Sequence, residues 1–291
     1  MNQTGKIVIL IVLIIAIVFA VYVLLVGFPG GGRTAQQGAQ NGQGGPGSSI
    51  NGGTPVSPET IEDLWYYNKA NASRYEKYAG LMQGLPMEDV IWMVEVDLDI
   101  PPYEDALEVP DPDDLLLLVN KHFLLRESFT PDDLMSVNST LMREEAAIAM
   151  NEMINAAAAE GHQLWAQSGF RSYGVQASLY EQYANREGVE AADTYSARPG
   201  HSEHQSGLTA DLNTITDAFG ETPEGIWASE NCWKFGFIER YTVLNANITL
   251  YRPEPWHMRY IGKDAAAEMH ELGFLSYEEY WVKYVKNTPP G

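Results

Sequence analysis

The first hydrophobic feature of the chain is an unbroken apolar run from Ile7 to Val26, which contains no charged residue. A helix of that length, at ~1.5 Å per residue, spans the ~30 Å hydrocarbon core of a bilayer. A cleaved signal peptide is the alternative, but its apolar stretch is shorter and ends at a small-residue cleavage site. We therefore predict a cytoplasmic tail over residues 1–6 and a transmembrane anchor over residues 7–27.

The hydrophobic pattern then stops and later resumes with helical spacing. Residues 28–57 are rich in Gly, Gln, Ser and Asn, a composition that cannot pack a core and is typical of a flexible linker. Ser57 suits a helix N-cap and Pro58 suits the first helical turn. Because the apolar positions that follow repeat at helical spacing up to Gly84, we predict a membrane-proximal helix over residues 58–84.

Residues 85–291 mix strand-like and helix-like patterns, and we predict that they form one domain. The apolar, β-branched run at 90–100 predicts a strand, and a shorter one is predicted at 164–168. The Ala- and Met-rich stretch at 143–160 contains no Gly or Pro and predicts a long helix, as does the stretch at 265–272. Since helices and strands alternate without a regular βαβ repeat, the pattern favours an α+β fold.

Composition narrows the function classes. Hydrophobic residues make up 45% of the 291 residues, and 39 acidic residues against 18 basic ones give a formal net charge of -21. This balance argues against nucleic acid as a partner, because phosphate binding needs clustered Lys and Arg. Cys232 is the sole cysteine, so neither an intramolecular disulfide nor an all-cysteine zinc site can form.

Three segments concentrate the residues that could carry chemistry. They are Ser168–Tyr173 with Gln176, the segment Pro199–Asp211, and the segment Glu254–Tyr260.

The second and third of these segments hold donors suited to a metal ion. Glycines make a helix unlikely around His204, so we predict that it lies on a loop and that Asp211 lies in a strand. Pro255 favours an extended Glu254, so this is not the helical His-Glu-x-x-His arrangement. Two imidazoles and one carboxylate are a sound zinc ligand set that leaves one position open. His201 could replace His204, and nickel or cobalt would also fit such ligands.

The same segments carry a family resemblance. The strings Ser168-Gly-Phe-Arg-Ser-Tyr173, Ser202-Glu-His-Gln-Ser-Gly-Leu-Thr-Ala-Asp211, Gly236-Phe-Ile-Glu-Arg-Tyr241 and Glu254-Pro-Trp-His-Met-Arg-Tyr260 resemble the VanY-type D-alanyl-D-alanine carboxypeptidases. The resemblance covers residues from about 90 to 285. It implies a small antiparallel sheet flanked by helices, a fold that is hedgehog- and D,D-peptidase-like. One departure is Thr209, which stands where the family usually has Ala.

The resemblance also implies roles for individual residues. His204, Asp211 and His257 would bind Zn²⁺, and Glu254 would be the catalytic base. Arg171 would bind substrate and stabilise developing negative charge, which a guanidinium does with two parallel hydrogen bonds. Gln176 and Ser202 would be further polar contacts to the peptide. We expect Trp256 to pack beside the metal, and we assign Gly236, Phe237 and Arg240 no chemical role.

The implied activity is zinc-dependent D,D-carboxypeptidase cleavage, which removes the terminal D-alanine from peptidoglycan stem peptides. An L,D-carboxypeptidase acting on tetrapeptide stems would share the zinc site, so the ligand motifs do not separate the two. A catalytically silent wall-binding module and an endopeptidase are weaker alternatives, because Glu254 is present and Arg171 suits a chain end. A wall substrate agrees with a single-pass membrane protein whose catalytic domain is extracytoplasmic.

Overall fold

The computed structural model describes residues 60–287. Short helices and short strands alternate along this range, so the α+β character expected from the sequence is present. The α-helices, numbered in chain order, are α1 (Ala72–Leu81), α2 (Met87–Glu95), α3 (Glu144–Ala159), α4 (Tyr173–Glu187), α5 (Val189–Ala192), α6 (Pro223–Asn231), α7 (Ala246–Thr249), α8 (Lys263–Leu272) and α9 (Tyr277–Tyr280). A π-helix, Trp281–Lys286, follows α9 directly, and the 3₁₀ turns are Ile61–Asp63, Lys69–Asn71, Glu203–Ser206, Asp217–Glu221 and Cys232–Phe235.

The strands form two small pairs and one larger sheet. They are β1 (Leu107–Glu108), β2 (Phe123–Leu124), β3 (Leu134–Val137), β4 (Thr140–Arg143), β5 (Ala166–Ser168), β6 (Thr209–Leu212), β7 (Phe237–Glu239) and β8 (His257–Tyr260). Strands β1 and β2 pair in parallel, and β3 and β4 form an antiparallel hairpin. The other four strands form an antiparallel sheet in the order β5-β6-β8-β7.

The register of the central sheet separates a polar face from an apolar face. In the β6–β8 pair, Asp211 lies opposite His257 and Ala210 lies opposite Met258. Because successive side chains of a strand point to opposite faces, Asp211 and His257 share one face and Ala210 and Met258 share the other. One face of this sheet therefore presents polar side chains that could take part in a reaction, and the other face packs into the hydrophobic core.

Helix α3 lies on the apolar side of the sheet. Its Ala- and Met-rich sequence has high helix propensity, and Met150 and Met153 are fully buried in the hydrophobic core. Tyr260 of β8 donates a hydrogen bond to Glu145 of α3 over 2.7 Å. The helix predicted at 143–160 is thus confirmed, and it backs the sheet that presents the polar face.

The strand predicted at 90–100 is wrong, because Met87–Glu95 forms helix α2. Acidic Glu88 and Asp89 lie in its first turn, where they interact favourably with the helix dipole. Val90 and Val94, one helical turn apart, are fully buried. A short apolar run cannot be assigned to helix or strand from periodicity alone, since both bury such side chains.

The continuous helix predicted at 58–84 is also wrong over the part that the structure describes. Two 3₁₀ turns precede helix α1, which is helical only over Ala72–Leu81. The Asn68 side chain accepts a hydrogen bond from the Ala70 amide, and such side-chain bonds compete with a continuing helix. Leu64 and Tyr75 are buried in the same core as the rest of the described chain.

Residues 60–287 contain no helix that combines the length and the apolar character needed to cross a membrane. The tail predicted at 1–6, the anchor at 7–27 and the linker at 28–57 lie outside the described residues.

Candidate metal centre

The polar face of the sheet brings together the three metal ligands proposed from the sequence. One donor atom from each of His204, Asp211 and His257 lies within 4.8 Å of the other two, and all three residues are buried. Nε2 of His204 lies 3.3 Å from Oδ2 of Asp211, and Nδ1 of His257 lies 3.4 Å from Oδ1. His204 lies on the 3₁₀ turn Glu203–Ser206 and Asp211 lies in β6, as predicted.

Hydrogen bonds orient both imidazoles towards this point. Nδ1 of His204 lies 2.7 Å from the Gly169 carbonyl oxygen, which therefore accepts the Nδ1–H. Nε2 of His257 lies 3.2 Å from Oε2 of Glu203, which accepts the Nε2–H. In the neutral rings, each bond fixes the tautomer that leaves a lone pair facing Asp211, on Nε2 of His204 and on Nδ1 of His257. Burial lowers the pKa of His257, but Asp211 and Glu203 outweigh it and raise the pKa to about 9, so a metal ion would displace a proton from Nδ1 on binding.

Glu203 anchors this arrangement, and sequence reasoning gave it no role. Its Oε1 accepts hydrogen bonds from Nε of Arg240 over 2.9 Å and from Arg259 over 3.2 Å. Arg240 also donates two hydrogen bonds to Glu278, and all four side chains are fully buried. Burial opposes ionisation, but Arg240, Arg259 and His257 outweigh it and hold the pKa of Glu203 far below its usual range.

We call this group of Glu203, Arg240, Arg259 and Glu278 the buried ionic cluster. The expectation that Arg240 has no chemical role needs refinement, because it holds the carboxylate that orients His257. The signal was visible in the sequence: Arg259 follows His257 by two positions in β8, so both side chains fall on the same face.

Glu254 lies at the entrance of β8, in a loop that prolines on both sides keep from forming a helix. Its amide donates to the Tyr241 carbonyl over 2.8 Å, and its own carbonyl accepts from the His257 amide over 3.0 Å. The carboxylate approaches the metal ligands, with Oε2 at 3.6 Å from Nδ1 of His257. Burial raises the pKa of Glu254 to about 7, and Asp211 adds to the rise while His257, Arg252 and Arg171 oppose it.

Arg171 reaches the same place from the loop after β5. Its amide donates to the His204 carbonyl over 3.1 Å, and its guanidinium lies 3.9 Å from Oδ2 of Asp211. Gln176 and Ser168 hold that guanidinium through hydrogen bonds of 2.9 and 3.2 Å. Gln176 is buried, and its side-chain N–H donates a hydrogen bond to the Ala197 carbonyl. Because this bond fixes the amide group, the Gln176 oxygen holds the guanidinium of Arg171 in place.

The three ligands, Glu254 and Arg171 line a cleft of about 420 Å³. Trp256 lines the cleft and is buried beside the ligands, as expected. Ser202 also lines it, and its hydroxyl has no hydrogen-bond partner among residues 60–287, so it is available to a ligand. The cleft wall is completed by side chains from α4, the 195–197 loop and the loop before β8: Leu179, Tyr183, Arg186, Glu187, Tyr195, Ser196, Ala197, Tyr251 and Arg252.

His201, the alternative ligand, does not join the three donors. Its Nδ1 lies 2.8 Å from the Asn120 carbonyl oxygen, and its ring packs edge-on against Tyr103. His122 also stays apart from the donors, because it lies buried in the bend before β2.

The donor set fits a zinc ion. Oδ1 of Asp211 is buried and has no hydrogen-bond partner among the described residues, which suits an oxygen that ligates a cation. Two imidazoles, each neutral once it binds a metal, and one carboxylate supply three ligands, and the cleft leaves a fourth side open to water or substrate. Together with a buried carboxyl group of raised pKa, this arrangement is typical of a mononuclear metal-dependent hydrolase.

Comparison with known proteins identifies the family. The family model for the VanY D-alanyl-D-alanine carboxypeptidases matches residues 139–263. The chain is 38% identical over 199 residues to the putative carboxypeptidase YodJ of Bacillus subtilis (strain 168), an alignment that covers 62% of this chain and 72% of that protein. This chain belongs to the VanY D-alanyl-D-alanine carboxypeptidase family.

Solved structures agree with this assignment. The LdcB LD-carboxypeptidase is 36% identical with a TM-score of 0.59, over 62% of this chain and 91% of that chain. A mutant of the vancomycin resistance D,D-pentapeptidase VanY in complex with Zn(II) is 31% identical with a TM-score of 0.51, over 57% of this chain and 97% of that chain. The α+β core with its small sheets is therefore the fold that these peptidases share.

Proposed function

We propose that this protein is a zinc-dependent D,D-carboxypeptidase that removes the terminal D-alanine from peptidoglycan stem peptides. One observation carries the proposal: three buried metal ligands, a carboxyl group of raised pKa and an oriented guanidinium meet in a single cleft. The Zn(II) complex of the VanY homologue supports the choice of metal. A pure binding module would not need Glu254 beside the ligands.

His204, Asp211 and His257 would hold the zinc ion. A bound zinc ion would act as a Lewis acid that polarises the scissile carbonyl and lowers the pKa of a water molecule beside it. Oε2 of Glu254 would accept a proton from that water and later deliver it to the leaving amine. Its pKa of about 7 suits both steps near neutrality, and a cation bound nearby would favour the ionised form further.

Arg171 would bind the terminal carboxylate of the substrate. Its guanidinium is held by Gln176 and Ser168, so little side-chain freedom remains to be lost when the peptide binds. A carboxypeptidase needs such a fixed cation because its substrate is defined by a free chain end. Ser202 would add a hydroxyl contact to the peptide from the cleft wall.

An L,D-carboxypeptidase is the second candidate function. The higher TM-score and sequence identity of the LdcB LD-carboxypeptidase, compared with the D,D-pentapeptidase VanY, favour this reading. The metal ligands and Glu254 would serve either reaction.

The test offers the zinc-loaded full-length protein two stem peptides, one ending in L-Lys-D-Ala-D-Ala and the other in L-Lys-D-Ala. Mass spectrometry follows the release of D-alanine. Release from the pentapeptide alone supports the D,D activity, and release from the tetrapeptide alone assigns the L,D activity. No release from either, by a folded and zinc-bound protein, rejects the carboxypeptidase proposal.

Glu254→Gln is the matched control for this assay. It removes the carboxylate but keeps the shape of the side chain, so we expect kcat to fall by a factor of about 10²–10⁴. Zinc content, measured by atomic absorption, should stay at one ion per chain because Glu254 is not one of the three ligands.

We also propose that residues 7–27 anchor the protein in the membrane with the catalytic domain outside. The support is the charge-free length of the run and the extracytoplasmic position of the wall substrate. Protease added to intact cells should digest a C-terminal tag on the full-length protein. Protection of that tag until the cells are lysed would contradict this orientation.

A further inference from the structure

The cleft contains a cation that the proposed reaction does not use. Arg252 lies on the cleft wall, and its side chain is exposed. Its amide donates to the Thr194 carbonyl over 2.9 Å, and its guanidinium lies 4.8 Å from the centre of the Tyr195 ring. This backbone bond and cation–π contact hold the group at the cleft without neutralising its charge.

The other two arginines of the cleft have side-chain partners among the described residues. Arg171 is held by Gln176 and faces Asp211 at 3.9 Å. Arg186 pairs with Glu187 at 2.6 Å. Arg252 is within electrostatic range of Glu187 and Glu254, but within residues 60–287 no carboxylate lies close enough to form an ion pair with it.

A guanidinium of this kind selects a carboxylate, because its fork of N–H donors matches two carboxylate oxygens. Under the proposed function, which this inference extends, Arg171 takes the terminal carboxylate. The guanidinium of Arg252, in the same cleft and without an ion-pair partner among residues 60–287, would then suit a second negative group on the substrate. Stem peptides carry such groups on the amino side of the scissile bond, namely the α-carboxylate of D-glutamate and the side-chain carboxylate of a diaminopimelate residue.

We propose that Arg252 is a specificity residue that binds a carboxylate of the stem peptide upstream of the scissile bond. The protein therefore prefers stem peptides that retain this carboxylate over peptides in which it is amidated. Tyr195 acts with Arg252 by holding the plane of the guanidinium.

The test uses the zinc-loaded full-length protein and four peptides that share the cleavable C-terminus. D-Glutamate is compared with D-isoglutamine at the second position, and diaminopimelate with L-Lys at the third. We expect kcat/KM for D-alanine release to be about tenfold higher when the recognised carboxylate is present, as for a contact of roughly 1.4 kcal/mol. The position at which amidation or replacement lowers kcat/KM identifies the carboxylate.

Arg252→Gln should abolish this preference, whereas Lys263→Gln, which removes an exposed cation that lies outside the cleft and pairs with Glu152, should preserve it. Removing Arg252 also alters the field at Glu254, but that effect lowers the rate on all four peptides equally and leaves the ratio unchanged. Arg252→Lys keeps the positive charge but lacks the forked N–H donors of the guanidinium, so it should keep part of the preference. Its activity also shows whether the loss in Arg252→Gln comes from a folding defect.

Equal kcat/KM on all four peptides, or an equal loss on acidic and amidated peptides in Arg252→Gln, would overturn the role of Arg252 and leave the carboxypeptidase activity intact. Absence of D-alanine release from every peptide would instead reject the proposed function, and this inference with it.

Discussion

Glu203 is the residue on which the geometry of the candidate metal centre depends. It accepts the Nε2–H of His257 and is itself held by two buried arginines. Such a carboxylate fixes the ring orientation and increases the basicity of the ligating nitrogen. The imidazole of His257 is therefore oriented before any metal arrives.

We predict that Glu203→Gln weakens zinc binding by a factor of about 10–100, as loss of an outer-shell partner typically does. It should also lower the free energy of unfolding by about 3–5 kcal/mol, because Arg240 and Arg259 keep their charges in a buried site after a partner is removed. Competition with a chromophoric chelator measures the first effect, and urea denaturation measures the second.

Glu254→Gln provides the comparison for that variant, since it removes a carboxylate on the other side of the same imidazole. It should lose activity and keep zinc affinity, whereas Glu203→Gln should lose zinc affinity. Equal zinc affinity in the two variants would contradict the orienting role of Glu203.

His122 is a buried histidine outside the site. Both of its ring nitrogens are buried without a hydrogen-bond partner within residues 60–287. Burial lowers its pKa, and Lys121 adds to this, while Asp97, Glu278 and Asp99 oppose it. The folded state therefore favours the neutral ring, and its contribution to stability is lost as the pH falls below about 6.5, where the unfolded chain takes up the proton.

We predict that His122→Leu makes the free energy of unfolding less dependent on pH between about 7 and 5. The measurement is urea denaturation of both proteins at several pH values with zinc held constant, so that titration of the metal ligands cancels in the difference. If the free energy of unfolding depended on pH in the same way in both proteins, the conclusion that His122 is buried as a neutral ring would be contradicted.

At the scale of elements, the loop after β5 is packed against the β3–β4 hairpin. A Cβ added to Gly169 would lie 2.3 Å from the Leu141 carbonyl oxygen, which is closer than real contacts allow. The carbonyl of Gly169 also accepts the hydrogen bond that orients His204. The absence of a side chain at this position therefore lets the loop approach the hairpin and support a metal ligand.

Gly169→Ala should displace this loop, reduce zinc affinity and destabilise the protein by about 1–3 kcal/mol, as overpacking does. Gly174→Ala is the matched control. A Cβ there meets no atom within 4 Å, and the position lies inside α4, so it should stabilise by roughly 0.5–1 kcal/mol. Thermal unfolding with and without zinc measures both variants.

Part of this architecture could be predicted from the sequence, and the reason differs between elements. Helix α3 was predictable because its Ala-rich stretch has strong local propensity and no helix breaker. The position of Asp211 in a strand was predictable because glycines exclude a helix before it. Helix α2 was misassigned because it is buried on several sides. Such burial depends on the tertiary structure, and it produces an apolar run without a clear helical period.

The candidate site was also only partly predictable from the sequence. The resemblance to the VanY-type motifs singled out His204, Asp211 and His257, whereas the residue types alone left His201 as an alternative to His204. The structure brings the three donors together. The support from Glu203, Arg240 and Glu278 was not predicted, since it depends on contacts between residues far apart in the chain. Arg252 was missed for the same reason: its unpaired state is a property of the folded cleft.

At the scale of the whole molecule, the N-terminal helices are tied to the C-terminal end of the described chain. Glu95 at the end of α2 accepts hydrogen bonds from Asn71, Tyr75 and Lys286, each between 2.6 and 2.7 Å. Burial raises the pKa of Glu95, but these three bonds outweigh it and leave the pKa below its usual value. One buried carboxylate thus connects α2 to three other elements: a 3₁₀ turn, α1 and the π-helix.

We predict that Glu95→Gln lowers the free energy of unfolding at neutral pH by about 1.5–3 kcal/mol, the range for hydrogen bonds to a charged group. Since the pKa is lowered in the folded state, this contribution is present above about pH 4 and is lost at lower pH. The difference between the two proteins should therefore shrink on acidification. Glu76→Gln, at an exposed position of α1, should leave stability unchanged.

The facing positions of Asp211 and His257 in β6 and β8 also determine when the protein can acquire its metal. The two residues are distant in sequence and become neighbours only when the strands pair in this register. A shift of one residue in either strand would turn its own ligand towards the core and separate the pair. Under the proposed function and location, metal binding would therefore follow strand pairing, and a chain exported unfolded would take up its metal only after folding outside the cell.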